Sequence, residues 1–431
     1  MAEQVLHAQR CRVTWCAYDW QEQISGPGTW LADLLPRLTV RGVSNRVLLC
    51  VWDQPGPLAL ALTERQIPFS VIPMQGSTQQ RIRMLLQSLA AEPTDIFVAH
   101  NVLPALLAAP IVRTAGVPTV AALHSDDRFY HAVIDVFQSG RARDAVTAMV
   151  AVSQQLFQQI QENGEGNTQG CYIPYGVSLQ PRIAPRTQGR RLKVAYAGRL
   201  VQEQKRITDV VQAMLRLVHE LDDCTALIIG DGPLRGEMQR LVLAEAADDK
   251  IQFTGRLSAE NTRLKMLEAD IILLLSDYEG LPIVLLEAMA SGLVPVVSRM
   301  RSGVPELIHH GVNGLVVDDR GDSVVNAVRQ LQNSPELRSR LSHEACSTIH
   351  QQFSADLCAD RWAELLSMLA GARGCTFTAS EIPAGFDLPT VHPDLQAEDP
   401  RADEGVTFSM RLKKLIRRTA QAVCGLKSEY P

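Results

Sequence analysis

Residues 276–298 read SDYEGLPIVLLEAMASGLVPVVS. The run leading into them, ADIILLLS at 269–276, is apolar, rich in Ile and Leu, and of strand length. LVPVVS at 293–298 is a second such run. Between the two stand Glu279, Gly280 and Pro282, then a helical pattern, PIVLLEAMA, closed by Ser291-Gly292. Strand, tight loop, helix and strand in that order are the repeating unit of a parallel sheet. Pro282 suits the first helical position, where no backbone N–H is needed. The N–H groups of Gly280 and Leu281, with the positive helix end, would then point into the crevice above the sheet, a place that attracts phosphate. Glu279 precedes the helix and Glu287 lies inside it, with seven residues between. A carboxylate beside bound phosphate is repelled unless it meets another group. Sugar hydroxyls are the obvious partner, because they donate hydrogen bonds to carboxylates.

The same unit recurs around this stretch. LKVAYAGRL at 192–200 is a strand ending in Gly198-Arg199, and Lys205-Arg206 follow before the helical pattern ITDVVQAMLRLVHEL. CTALIIGDGPLRGEM at 224–238 is a strand, a turn and a helix, with Gly230, Gly232 and Pro233 suited to a tight elbow. KIQFTGRLS at 250–258 adds a strand ending in Gly255-Arg256-Leu257. Downstream come Gly303-Val304-Pro305-Glu306, an Asn313-Gly314 turn, the strand GLVVDD, and helical patterns over 322–333 and 336–352.

In the first half, CRVTWCAY at 11–18 reads as a strand and Ser25-Gly26-Pro27-Gly28 as the loop after it, with Thr29 placed to cap a helix. Gly26 and Gly28 would let backbone approach a ligand closely, or form a plain turn. Strand candidates follow at 45–51, 68–72, 95–100, 118–124, 148–153 and 171–177, with helical patterns between them. That alternation predicts a doubly wound parallel sheet, whose ligands lie outside the carboxyl ends of its strands. His124 sits at such an end, in ALHSDD. Asp126 and Asp127 are adjacent and fall where a helix cap is expected, so they read as cap or acceptor-side groups without metal.

Composition sets outer bounds. The chain has 431 residues, 46% hydrophobic and 21% charged, which suits two or three globular domains. A net charge of −5 gives no global reason to expect nucleic acid. Nine cysteines are scattered without a C-x-x-C pair, which points away from a zinc site and towards a reducing compartment. MAEQVLHAQRCR lacks a signal-peptide core, and no run is long and apolar enough to span a bilayer. The expectation is a cytoplasmic protein.

EGLPIVLLEAMASG, set between Asp277-Tyr278 and a Pro-Val-Val strand and followed by Gly303-Val304-Pro305-Glu306, resembles the donor-site signature of retaining glycosyltransferases of glycosyltransferase family 4. The resemblance covers residues 11 to about 370, strongly after Leu192 and loosely before it. It implies the two-domain GT-B fold: two Rossmann-like doubly wound domains facing across a cleft, here with a C-terminal tail. It also implies roles. Arg199 and Lys205 would clamp the donor diphosphate, where fixed cations stabilise the charge gained by the leaving group. Gly280 and Leu281 would help through their N–H groups. Gly232 would lie beside the nucleotide, and Arg256 and Leu257 where the base is held. Glu287 would bind the ribose and Glu279 the sugar, and His124 would meet that sugar from across the cleft. Gly26, Gly28 and Asp126 would lie on the acceptor side. The spacing from Gly198-Arg199-Leu200 to Lys205 is one residue longer than the commonest form, and Tyr175 in IPYGV stands where the family has Asn.

The resulting expectation is an acceptor-side domain over 1–185, a nucleotide-sugar domain over 186–352, and a helix at 353–370 crossing back to the first domain. An acidic, Pro-bearing segment at 371–408 would be a disordered linker. Residues 409–431 would hold a basic amphipathic helix, able to lie on an anionic membrane, on the acidic segment or on another subunit. The activity implied is transfer of a hexosyl or related sugar, with retention, from a UDP- or GDP-linked donor to a glycan or lipid-linked acceptor, without metal or cofactor. The alternatives are a sugar-nucleotide 2-epimerase of the same fold and a catalytically silent sugar-nucleotide binder.

Overall fold

The computed structural model describes residues 11–20, 25–164, 168–179, 191–371 and 376–395. The first domain carries strands β1 (Arg12–Tyr18), β2 (Ser44–Val51), β3 (Phe69–Pro73), β4 (Ile96–His100), β5 (Thr119–Leu123), β6 (Ala148–Ala151) and β7 (Gln169–Tyr172). Helices α1 (Gly26–Val40), α2 (Pro57–Glu64), α3 (Thr78–Ala90), α4 (Leu103–Thr114), α5 (Arg128–Phe137) and α6 (Gln154–Glu162) connect them. All neighbours pair in parallel, in the order β3-β2-β1-β4-β5-β6-β7.

The second domain carries β8 (Leu192–Ala197), β9 (Cys224–Ile229), β10 (Ile251–Gly255), β11 (Ile271–Leu274), β12 (Val294–Ser298) and β13 (Leu315–Val317). Their order is β10-β9-β8-β11-β12-β13, again parallel. The helices are α7 (Ile207–Glu220), α8 (Arg235–Ala244), α9 (Ala259–Met266), α10 (Ile283–Ala290), α11 (Val304–Leu307), α12 (Asp322–Asn333), α13 (Pro335–Gln352) and α14 (Ala355–Ala370). In each sheet the strand order reverses once near the middle, between β1 and β4 and between β8 and β11. A crevice opens at such a switch point, at the carboxyl ends of the strands.

Sequence explains the layering. Val194 and Tyr196 of β8 pack into one apolar cluster, and Ala195 and Ala197 into another. The strand is thus covered on both faces, as parallel strands are. The cluster around Ala195 runs on through α10 and α13 into the first domain. The chain leaves the first domain past Val177 and returns at Ser354, and these two crossings lie side by side. Val177 N–H donates to Phe353 O at 2.9 Å and Ala355 N–H to Val177 O at 2.9 Å. Gly176 permits this, because a Cβ there would stand 2.3 Å from Ser354 O. Helix α14 then lies along α1, with Arg37–Asp356 at 2.7 Å, Arg41–Asp360 at 2.6 Å, and Trp362 against Trp15 at 5.1 Å.

Two local expectations change. Ser25 caps α1 by accepting from Gly28 N–H at 3.0 Å, so Ser25-Gly26-Pro27-Gly28 is the first helical turn rather than a loop, and Thr29 lies inside the helix. A Ser cap followed by Pro near the first helical position favours that start. The acidic segment is not a disordered linker over 376–395. Phe377 and Leu395 are buried, Arg83 lies over the Phe386 ring at 5.0 Å and donates to Ala384 O at 2.7 Å, and Arg143 pairs with Asp387 at 2.5 Å. Two apolar anchors and one carboxylate suffice to hold it on the first domain. The basic stretch 409–427 lies outside the described residues. Among the described residues, no helix is long and apolar enough to cross a membrane.

Candidate active site

The loop after β11 places the first carboxylate. Apolar β11 ends at Leu274, and Glu279 emerges buried at the switch point beside β8. Pro282 has φ −72° and ψ 106°: it is the N-cap of α10, and the helix begins at Ile283, one residue later than the pattern suggested. Its missing N–H is harmless at either position. Gly280 and Leu281 therefore precede the helix, and their N–H groups donate to no backbone or side-chain acceptor among the described residues. The two domains touch at this loop. A Cβ on Gly280 would stand 2.2 Å from His124 O, and Gly280 O accepts from Gly303 N–H at 2.7 Å.

The cations come from the loop after β8. Lys205 Nζ lies 2.6 Å from Glu279 Oε1, with side chains 14% and 8% exposed, so the pair is nearly out of water. Arg199 Nη2 donates to Gln204 Oε1 at 3.3 Å, and Gln204 Nε2 donates to Tyr278 O at 3.2 Å and Glu279 Oε2 at 3.4 Å. Arg199, Gln204, Lys205 and Glu279 thus form one linked group. Gln204 and Arg206 have φ of +63° and +54°, in the left-handed region, so the loop turns sharply on either side of Lys205. Arg206 turns instead to Asp209, at 2.7 Å. Of the two adjacent cations, Lys205 is the one at Glu279.

Glu287, on α10, pairs with Arg263 Nη1 of α9 at 3.1 Å. Burial pushes its carboxyl above the ordinary range, Arg263 pulls it back down, and Asp33 from α1 raises it again. Gly232 sits against the end of β8, where a Cβ would meet Leu200 O at 2.6 Å. Arg256 and Leu257 follow β10, exposed and half-buried respectively, ahead of the Ser258 cap of α9.

Across the cleft, His124 follows β5 and is buried. Its Nδ1 lies 2.5 Å from the Tyr175 hydroxyl, and its ring centroid 4.1 Å from that of His100, at the end of β4. Trp30 of α1 stacks on His100 at 5.8 Å and touches Tyr175 at 5.0 Å. Burial drives His100 down to about 3 and holds His124 well below the ordinary histidine range, with His100 adding to the effect. Both imidazoles are therefore neutral at physiological pH. Gly26 packs against Ile283, where a Cβ would meet Cδ1 at 3.5 Å, and Gly28 lies over its cap, Ser25. Asp127 caps α5 through Tyr130 N–H at 3.1 Å. Asp126 lies 2.6 Å from His131 Nε2 and accepts from Gln159 Nε2 at 3.0 Å.

A second contact between the domains is Glu306, in α11. Its Oε2 accepts from Gln154 N–H, at the start of α6, at 2.9 Å and from the Tyr172 hydroxyl at 3.3 Å. Burial pushes this carboxyl up to about 7, while the two donors act to lower it.

Six residues of this site carry no assigned role in the sequence reading: Trp30, His100, Tyr175, Gln204, Arg263 and Glu306, the last quoted only as part of a turn. The one-residue excess before Lys205 signals Gln204, and the Tyr in IPYGV signals Tyr175. Arg263 shows no signal, because a lone cation on a short helix is ordinarily solvated.

Two facing doubly wound domains, with carboxylates and cations gathered at the second sheet's switch point and a buried histidine opposite, define a GT-B protein. The family profile described as Glycosyl transferases group 1 matches residues 182–347, and that of Glycosyltransferase Family 4 matches residues 24–180. The chain belongs to glycosyltransferase family 4, the group 1 glycosyl transferases. It is 33% identical over 171 residues to the alpha-D-kanosaminyltransferase of Streptomyces kanamyceticus, covering 39% of this chain and 44% of that one. Over 252 residues it is 29% identical to a GDP-mannose-dependent alpha-(1-6)-phosphatidylinositol monomannoside mannosyltransferase of Mycobacterium tuberculosis, covering 53% and 64%. Each match spans less than two thirds of the relative's length. The crystal structure of Anabaena Alr3699/HepE in complex with UDP shares the fold, with a TM-score of 0.67 at 20% identity over 83% of this chain and 100% of that one. Sucrose-phosphate synthase from Thermosynechococcus elongatus does so at 0.66 and 15%, over 84% and 100%.

Proposed function

We propose that this protein is a retaining glycosyltransferase that moves a hexosyl or related sugar from a nucleotide-sugar donor to a glycan or lipid-linked acceptor. One observation carries the reading: Arg199, Gln204, Lys205 and Glu279 are joined into a single buried-to-exposed group directly beneath the loop that touches His124. Such a group offers cations for a diphosphate and a carboxylate for sugar hydroxyls a few ångströms apart.

In this reading the donor enters with its diphosphate towards Arg199, Lys205 and the N–H groups of Gly280 and Leu281. The charge that develops as the C1–O bond to phosphate breaks is stabilised by groups already in place. Lys205 then exchanges part of its contact with Glu279 for phosphate, and Glu279 accepts from the sugar. Glu287 similarly exchanges Arg263 for ribose hydroxyls, while Arg256 and Leu257 border the base. The acceptor lies against the first domain, near Gly26 and Asp126. Its hydroxyl attacks C1 on the face the diphosphate leaves, and its proton passes to the departing phosphate oxygen. No metal or cofactor takes part in this scheme. Closure of the domains excludes water that would hydrolyse the donor.

The choice of a UDP- or GDP-linked donor is supported by the UDP bound in the Anabaena structure and by the GDP-mannose dependence of the mycobacterial relative. The test is a thermal-shift panel of UDP, GDP, ADP and TDP, followed by nucleoside diphosphate release from the matching sugar donors with and without glycan or lipid acceptors. One diphosphate should raise the melting temperature, because a ligand that binds only the folded state stabilises it. The absence of both a shift and release across the whole panel would overturn the reading.

A further inference from the structure

We infer that Tyr175 is a positioning residue for the donor sugar: its hydroxyl donates to Nδ1 of His124, keeps the imidazole proton on Nε2, and makes Nε2–H the donor that the sugar meets. The inference rests on the reading of His124 given above.

Satisfaction of buried polar groups fixes the direction of this bond. Tyr175 and His124 are 2% and 6% exposed, their rings lie within 2° of parallel, and the hydroxyl oxygen stands 2.5 Å from Nδ1. A buried phenol places its proton on an acceptor. Among the described residues the hydrogen-bond partner of this hydroxyl is Nδ1 of His124. Were Nδ1 protonated, it would donate to the hydroxyl oxygen, and the phenolic proton would be left pointing at no acceptor. With the tyrosine donating, the phenolic proton and Nδ1 are both satisfied, and the neutral ring carries its proton on Nε2. The doubly protonated ring would again oppose the phenolic proton, and its charge would be held out of water. Burial pushes the Tyr175 phenol far up, so it keeps its proton at every working pH.

The other end of the ring completes the case. His124 Nε2 is buried and has no hydrogen-bond partner among the described residues. An N–H in that state lacks an acceptor in the closed arrangement, and separation of the domains is the movement that would bring it to the hydroxyl oxygens of a sugar. Had the tautomer been left unset, the ring would spend part of its time presenting a lone pair instead of a donor. The chain is specific in how it achieves this. Position 175 falls in IPYGV, where the resembled pattern carries Asn, and an Asn amide ends several bonds short of the point the phenol reaches.

The experiment uses the full chain with its histidines labelled in 15N, long-range 1H–15N spectra at pH 8, and His124→Gln to assign the His124 signals. The expected result is a His124 ring protonated at Nε2, shifting towards a mixture of tautomers in Tyr175→Phe. In parallel, nucleoside diphosphate release is followed with UDP-glucose or GDP-mannose, whichever the thermal-shift panel selects. Tyr175→Phe should lower kcat about tenfold or more, as the loss of a tautomer-setting partner does elsewhere, with the donor KM nearly unchanged. Adding Tyr175→Phe to His124→Gln should lower kcat no further. A wild-type ring protonated at Nδ1, or an unchanged tautomer in Tyr175→Phe, would overturn the inference even where His124→Gln is inactive. Full turnover in His124→Gln would instead overturn the reading of His124 at the sugar, and the positioning role with it.

Discussion

Lys205 and Glu279 neutralise each other in a setting where neither could stand alone. Removing one member of a buried ion pair strands the other, which typically costs 3–5 kcal/mol. Lys205→Met is therefore expected to destabilise the fold by about 3 kcal/mol, read as a lower denaturant midpoint, and to abolish donor turnover. Adding Glu279→Gln should restore much of the stability, since the stranded charge is gone, while turnover stays lost. That split separates the pair's structural role from its chemical one. Recovery of activity in the double variant would remove both residues from the site. Glu279 and Glu287 were legible in the sequence because a fixed spacing across one loop and one helix ties them together, and Arg199 and Lys205 through the resemblance of the loop after β8. Their partners were not. The contacts of Gln204 with Glu279 and of Arg263 with Glu287 join segments separated by 75 and 24 positions, and no local pattern records such a meeting.

At the scale of elements, the loop from Glu279 to Pro282 is a contact surface between the domains and, in the proposed function, also the turn that meets the donor. Gly280 carries that double duty. A methyl group there would stand 2.2 Å from a backbone carbonyl, which cannot rotate away as a side chain could. Gly280→Ala should cost about 1–3 kcal/mol of the closed arrangement and reduce turnover, seen as a lower melting temperature together with a raised donor KM. Unchanged values would show that the domains do not close on this loop in solution. Most strands were legible, because covered parallel strands are short apolar runs bounded by turns, but β7 is Gln169–Tyr172 and not 171–177, since IPYGV leaves the sheet as the passage between domains. Helix starts were less so. Ser25 and Pro282 each moved a boundary, since a capping residue is fixed by its dihedral angles and not by its side chain alone.

For the whole molecule, Glu306 makes the join between domains sensitive to pH. Its carboxyl stands at about 7 in the folded protein against an ordinary value of 4.5. Between those values the folded state holds a proton that the unfolded chain has released. The contribution of Glu306 to stability is thus complete below pH 4.5 and is lost as pH rises through about 7. Glu306→Gln should gain on the order of 1–3 kcal/mol at pH 8 relative to the parent, and the advantage should vanish near pH 5. Melting curves at the two pH values check this, and an equal difference at both would refute it. The two-domain plan was visible from the repeating strand–helix unit. The cage of Trp30, His100, His124 and Tyr175 was not, because it draws one ring each from a helix, two strand ends and the passage between domains.

The segment 376–395 lies on the first domain, although it is encoded after the whole of the second. During synthesis the earliest lobe must therefore wait, with the seats of Phe377 and Leu395 bare, until the ribosome has passed residue 395. A shortened product ending near residue 371 would carry both sheets and still expose greasy surface to chaperones and proteases.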